Sequence, residues 1–137
     1  MNQDIDNPTP GDTNAESGLS ARKKILLADD DAALRRLLEV VLNRAGYEVT
    51  SAEDGMDAMQ KASATVFDAL VADAIMPNLS GYELCRIFRN HPDWQRIPLV
   101  LLSGLEAEKE FEADVHLVKT ANLQEELLAA LNRLFST

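Results

Sequence analysis

Residues 25–36 read ILLADDDAALRR: a short apolar run, three consecutive carboxylates (Asp29, Asp30 and Asp31), then the start of an apolar stripe. The run Ile25 to Ala28 reads as a buried strand. Leu34, Leu37, Leu38, Val41, Leu42 and Ala45 recur at the spacing of one helix face, and Gly46 supplies a stop. Asp31 suits the helix N-cap ahead of Ala32. A strand that passes directly into a helix, with acid at the junction, is one βα unit.

Working outward, the unit repeats. Tyr47 to Ser51, Phe67 to Ala72, Pro98 to Leu102 and Val115 to Val118 read as further strands. Asp54 to Ala64, Ser80 to Asn90 and Leu123 to Phe135 read as helices between and after them. Alternation of this kind predicts an α/β fold, a parallel sheet with helices on both faces and right-handed crossovers. Residues 1–21 contain two prolines, four acids and no aromatic side chain, too little apolar area to offset ordering, so they are expected as a disordered tail. The folded domain is expected over 22–137.

Composition removes several function classes. The net charge of −10 argues against binding nucleic acid or anionic membranes without specific contacts and favours cations or basic protein surfaces. No apolar run reaches the roughly 18 residues of a membrane span, and the acidic N-terminus is unlike a signal peptide, so a cytoplasmic protein is expected. The single cysteine, Cys85, excludes an intramolecular disulfide and reads as a small apolar helix residue. His91 carries only a loop-surface reading.

In open α/β sheets ligands bind beyond the carboxyl ends of the strands. Asp29 and Asp30, Asp73, Ser103 and Lys119 stand at the ends of four of the expected strands. Taken singly, each has a plain alternative: Asp29 and Asp30 as solvated helix caps, Lys119 as a surface lysine, Met76-Pro77 and Gly81 as loop punctuation. Their convergence on one sheet edge is the functional signal. Asp29, Asp30, Asp73 and Lys119 sum to −2, and like carboxylates this close raise one another's pKa unless a cation intervenes. Oxygen ligands without His or Cys suit Mg²⁺ rather than zinc.

With ILLADDD, DAIMPNLSGYEL, PLVLLSG and HLVKT in view, the chain over about 23–136 resembles a response-regulator receiver domain of two-component signal transduction. The resemblance implies a flavodoxin-like sheet in order 2-1-3-4-5, which a receiver protein exemplifies. It implies that Asp73 accepts a phosphoryl group and that Asp29, Asp30, Asp73 and the backbone carbonyl of Ile75 bind Mg²⁺. Ser103 would contact the phosphoryl group, and Lys119 would pair with it. His116, three residues before Lys119, lies where receivers usually carry an aromatic switch residue, and would act with Ser103; it also reads as a plain strand residue. The implied partners are a histidine kinase or phosphotransfer protein, docking on the first helix, and a downstream target protein. The signalling surface would be helix four, strand five and the last helix. The sequence ends at Thr137, so a stand-alone regulator acting by protein contact is expected, with no nucleic acid or membrane partner.

Two departures from the family pattern carry their own expectations. Thr120 stands where receivers usually have a proline in a cis bond; a cis bond to a non-proline residue costs about 2.5–4 kcal/mol, so a trans Lys119-Thr120 peptide and a re-routed loop are expected. Only 104–114 separate the fourth strand from the fifth, at the lower limit for a crossover, and Glu106, Glu108, Glu110 and Glu112 give a helix no clean polar face. Helix four is therefore expected to be short or missing. Two other functions compete. A pseudo-receiver would be a binding module with an idle site. A haloacid-dehalogenase-like phosphatase would use Asp29 as nucleophile in D-x-D, with Ser103 and Lys119 as later motifs; against it, Ala33 replaces the expected threonine or valine and Asp73 has no role.

Overall fold

A computed structural model describes residues 22–104 and 113–136. Its strands are β1 (Lys24–Ala28), β2 (Glu48–Ala52), β3 (Ala69–Asp73), β4 (Leu99–Ser103) and β5 (Val115–Val118). The described helices are α1 (Ala32–Arg44), α2 (Gly55–Ala64), α3 (Gly81–Asn90) and α4 (Leu123–Phe135). All strand pairs are parallel, as the βα alternation predicts, and the order is β2-β1-β3-β4-β5, as the resemblance implies. The label α4 goes to the last helix, because the expected helix four falls within 105–112, outside the described residues, as does the expected disordered tail.

The strands of the sheet interior are apolar on both faces, as a parallel sheet covered on two sides requires. Leu26, Leu70, Leu99 and Leu101 pack with Ala58, Leu84 and Phe88 on the α2/α3 side; Ile25, Leu27, Val71, Val100 and Leu102 pack with Leu38, Leu42, Leu127 and Leu131 on the α1/α4 side. Cys85 is fully buried in α3, as expected of a small apolar residue.

Local chemistry sets the helix ends near the site. The Asp31 carboxylate accepts from the Ala33 and Leu34 amides and caps α1. Gly46 follows the α1 C-cap with φ +100°, a left-handed conformation that glycine adopts without penalty. Ser80 and Glu83 form a capping box at the start of α3. Several boundaries differ from the sequence reading by one or two residues; among them, Tyr47 precedes β2 because its N–H closes the turn after α1 on Leu42 O, and Phe67 lies two residues before β3. His91 differs as well. It caps the C-terminus of α3, half-buried, with its ring stacked on Trp94 at 3.8 Å, so the plain loop-surface reading is corrected.

The short return to β5 has an anchor. Asp114 donates its backbone N–H to Leu99 O at 2.8 Å, and its carboxylate accepts from Leu99 N at 2.7 Å and from Arg89 at 2.6 Å. Three bonds from one residue pin the start of β5 on β4.

Candidate functional site

The carboxyl ends of β1, β3, β4 and β5 deliver the site. Parallel strands all point one way, so residues immediately at or after their last positions meet on one edge. Asp73 is the last residue of β3, Ser103 the last of β4, and Asp29 and Lys119 directly follow β1 and β5. Asp29, Asp30 and Asp73 each present a carboxylate oxygen within 4.8 Å of the others. Asp29 is fully buried and Asp73 nearly so, whereas Asp30 is exposed. The solvated-cap reading thus fails for Asp29, whose Oδ1 accepts from the Asp31 amide at 2.9 Å inside the loop.

Lys119 bridges the acids. Its Nζ lies 3.1 Å from Asp73 Oδ2 and 3.5 Å from Asp29 Oδ2. The lysine reaches its partners although Thr120 replaces the usual proline. Among the described residues every peptide bond is trans. The loop instead closes through the Thr120 N–H, which donates to Val118 O at 2.8 Å, a bond a proline has no hydrogen to make. Thr120 also accepts, through Oγ1 from the Asn122 amide and through its carbonyl from the Leu123 amide, and so leads the chain into α4.

The electrostatics follow from burial and like charge. Burial raises the Asp73 carboxyl above its ordinary range, and the Asp29 charge adds to this against the opposing hydrogen bond from Lys119. For Lys119 burial alone would lower the ammonium, but the hydrogen bond to Asp73 and the charges of Asp29 and Asp73 together outweigh it and hold the group above its ordinary value. One lysine faces three carboxylates. Asp29 Oδ2 is buried without a hydrogen bond. Its nearest cation is the Lys119 ammonium at 3.5 Å, which Asp73 shares at 3.1 Å, so a desolvated carboxylate oxygen of this kind is only partly compensated and a further cation would lower its cost. The donors are all hard oxygens, so the residues present fit a Mg²⁺ ion.

Ser103 and His116 form a second element. The inward alternation of Val115 and Leu117 toward α1/α4 turns His116 to the other face of the sheet, which it shares with Ser103. Ser103 Oγ and His116 Nε2 stand 3.0 Å apart. Ile75 lies on the β3–α3 connection with its side chain exposed, and its N–H reaches toward Asp73 Oδ1 at 3.4 Å.

Three supporting residues had no functional reading in the sequence. Arg35 donates to the Asp29 carbonyl at 2.6 Å and holds the acidic loop against α1; in the sequence it is only a polar position of an amphipathic helix. Gly81 lets α3 approach so closely that a Cβ there would collide with the Asp73 carbonyl oxygen. Asn78, at φ +72°, donates to Asp54 Oδ2 and ties the β3–α3 connection to the cap of α2. The available signals were the turn-forming pair Pro77-Asn78 and a glycine placed just inside a helix start.

The model of the response regulator receiver domain matches residues 25–132. The transcriptional regulatory protein GltR of Pseudomonas aeruginosa is 36% identical over 118 residues, covering 82% of this chain and 48% of GltR. The chemotaxis protein CheY4 of Vibrio cholerae is 33% identical with a TM-score of 0.76, covering 82% of this chain and 98% of that one. The receiver domain of a sensor histidine kinase of Pseudomonas aeruginosa PAO1, solved with a magnesium ion coordinated in its active site cleft, is 28% identical with a TM-score of 0.76, covering 85% and 100%. The chain spans from 13% to 60% of the lengths of curated relatives it matches.

Proposed function

The chain belongs to the response regulator receiver domain family, and from that premise we propose that Asp73 accepts a phosphoryl group from a phosphohistidine donor in a Mg²⁺-dependent reaction. Receiver domains are signalling domains rather than turnover enzymes, which sets the phosphatase alternative aside. The observation that carries the reading is the Asp29, Asp30 and Asp73 cluster bridged by Lys119.

The steps assigned to this chain are few. An oxygen of the Asp73 carboxylate attacks phosphorus; the bond from phosphorus to the donor imidazole nitrogen breaks, and the nitrogen keeps the electron pair. The nucleophile and the transferred group are both anionic, so positioning and charge neutralisation supply most of the rate. Lys119 remains beside Asp73 Oδ2 and offers its ammonium to the acquired phosphoryl oxygens. Ser103, at the neighbouring strand end, offers a hydroxyl, and its hydrogen bond with His116 would couple that hydroxyl to β5. Asp29, Asp30, Asp73 and the Ile75 carbonyl would hold Mg²⁺. Its charge would bring a site of −2 to about neutral.

Receiver domains work with histidine kinases and downstream effectors, and relatives of this chain include transcriptional regulators. In this reading a kinase or phosphotransfer protein loads Asp73 and a target protein recognises the loaded form. The test is gel mobility in a phosphate-binding matrix after incubation with acetyl phosphate, with Mg²⁺ and with chelator. A retarded band that requires Mg²⁺ and disappears in Asp73→Asn is expected. An unshifted wild-type band would make the chain a pseudo-receiver with an idle site.

A further inference from the structure

Two adjacent arginines on α1 have different surroundings. Arg36 pairs with Glu39 at 3.0 Å with 77% of its side chain exposed, a surface pair of small worth. Arg35 is half-buried and gives its guanidinium to the backbone, Nη1 donating to the Asp29 carbonyl at 2.6 Å. A hydrogen bond from a charged donor is shorter and stronger than one between neutral groups.

The place of that carbonyl decides what the bond does. Asp29 O belongs to the peptide unit that joins Asp29 to Asp30, two of the three acids of the candidate metal cluster. A peptide unit is planar, so fixing its carbonyl sets the direction in which the chain leaves Asp29 for Asp30. The rest of the loop is tied as well. Asp29 N–H donates to Ala52 O at 3.2 Å, Asp29 Oδ1 accepts from the Asp31 amide at 2.9 Å, and the Arg35 amide donates to Asp31 O at 2.9 Å. Arg35 thus takes the carbonyls on both sides of Asp30, one with its side chain and one with its backbone. Asp30 is exposed, so core packing does not place it and these flanking bonds do.

The charge of Arg35 is engaged outside the cluster. Hydrogen bonds from the Ser51 hydroxyl to Glu39 and from the Glu53 amide to Asp57 hold those two carboxyls below their ordinary range, and the Arg35 charge adds to both effects. Asp73 responds instead to burial, Lys119, Asp29 and the Ile75 amide. Lys119 is the cation beside Asp73, whereas Arg35 serves the loop.

Given a Mg²⁺-dependent transfer to Asp73, the reading on which this rests, we infer that Arg35 is a positioning residue of the Mg²⁺ site: it holds the peptide between Asp29 and Asp30 so that both carboxylates serve one ion. The sign of its effect is diagnostic. Removing a positive charge near a cation site strengthens cation binding by Coulomb's law. Releasing the loop that carries the ligands weakens it, by roughly 10–100-fold where a group supporting metal ligands is lost. The two effects oppose, so the direction of change separates them.

The test titrates Mg²⁺ into the isotope-labelled full chain and follows the Asp30 and Ile75 amide signals in wild type, Arg35→Met and Arg35→Lys. Methionine suits a helix and has no donor, and Arg35 lies outside the buried pair Leu38 and Leu42 of α1, so the core stays in place; the amide spectrum in chelator checks this. Arg35→Met is expected to raise the Mg²⁺ Kd roughly tenfold. Arg35→Lys, which keeps one donor, should regain most of that loss. Labelling of Arg35→Met by acetyl phosphate should be slow at limiting Mg²⁺ and approach the wild-type rate at saturation. Unchanged or tighter Mg²⁺ binding in Arg35→Met would overturn the proposal, and if that variant also melted lower in chelator, Arg35 would be a structural tie alone. A wild type whose Asp30 and Ile75 signals show no saturable response would overturn the Mg²⁺ reading itself, and the role of Arg35 with it.

Discussion

Asp73 works against its own environment. Burial and the Asp29 charge both penalise its ionised form, and Lys119 offsets only part of that cost. Its folded pKa lies above the ordinary 3.8, so the folded protein holds the proton more tightly than the unfolded chain does. Stability is then lost as pH rises from the ordinary carboxylate range through the raised value, and the loss is complete above it. An amide escapes this penalty. Asp73→Asn is therefore expected to abolish phosphorylation while raising the urea midpoint at neutral pH in chelating buffer, with the advantage over wild type shrinking toward acid. A wild type that stays the more stable at neutral pH would show that the Lys119 pair outweighs burial. The five polar residues of the candidate site were legible because each sits at or just after a strand end. Arg35 was not, because its role depends on the α1 face it occupies meeting the Asp29 carbonyl, a contact that no spacing in ILLADDDAALRR encodes.

Strand ends can only deliver a site if the helices that follow them are placed tightly, and α3 shows how. Ser80 and Glu83 fix its first turn, and Gly81 lets that turn sit directly on the Asp73 carbonyl. Replacing Ser80 by alanine removes a cap and is expected to cost about 1 kcal/mol in chemical denaturation. Gly81→Ala must push α3 away from β3, so a larger loss of about 1–3 kcal/mol is expected, together with slower phosphorylation because Asp73 moves. Equal rates in the two variants would detach the glycine from the site. On the opposite side of the sheet edge, Asp114 holds β5 in place by bonds to both Leu99 backbone groups and to Arg89. Asp114→Ala should cost about 1–2 kcal/mol and speed hydrogen exchange along β5 before the rest of the sheet, since half the contact is a solvent-exposed ion pair of small worth. Element order was legible from periodicity alone. This anchor was not, because an Asp at the end of GLEAEKEFEAD looks like one more acid in an acidic run until the sheet brings Leu99 beside it.

At the scale of the whole molecule, like charge is concentrated at the acidic site. Asp29, Asp30 and Asp73 gather at the carboxyl edge of the sheet, with Lys119 the cation that reaches Asp29 and Asp73. A chain of −10 that places three carboxylates within 4.8 Å of one another stores repulsion in its folded state. Unfolding relieves that repulsion by separating the acids, so a divalent cation that pairs with them should bind the folded state and oppose unfolding. At a free Mg²⁺ concentration of 100 times Kd the linkage is worth about 2.7 kcal/mol, a rise in melting temperature on the order of 10 °C for a domain of this size. Asp30 separates metal binding from folding: it is exposed, so Asp30→Asn leaves the core untouched, and it should melt no lower than wild type in chelator while losing most of the Mg²⁺-dependent rise. Potassium at matched ionic strength controls for general screening, which weakens all surface repulsion without needing the cluster. If potassium reproduced the full rise, or if Asp30→Asn kept it, the stabilisation would come from net charge, and the buried Asp29 oxygen would be left with Lys119 as its one cation.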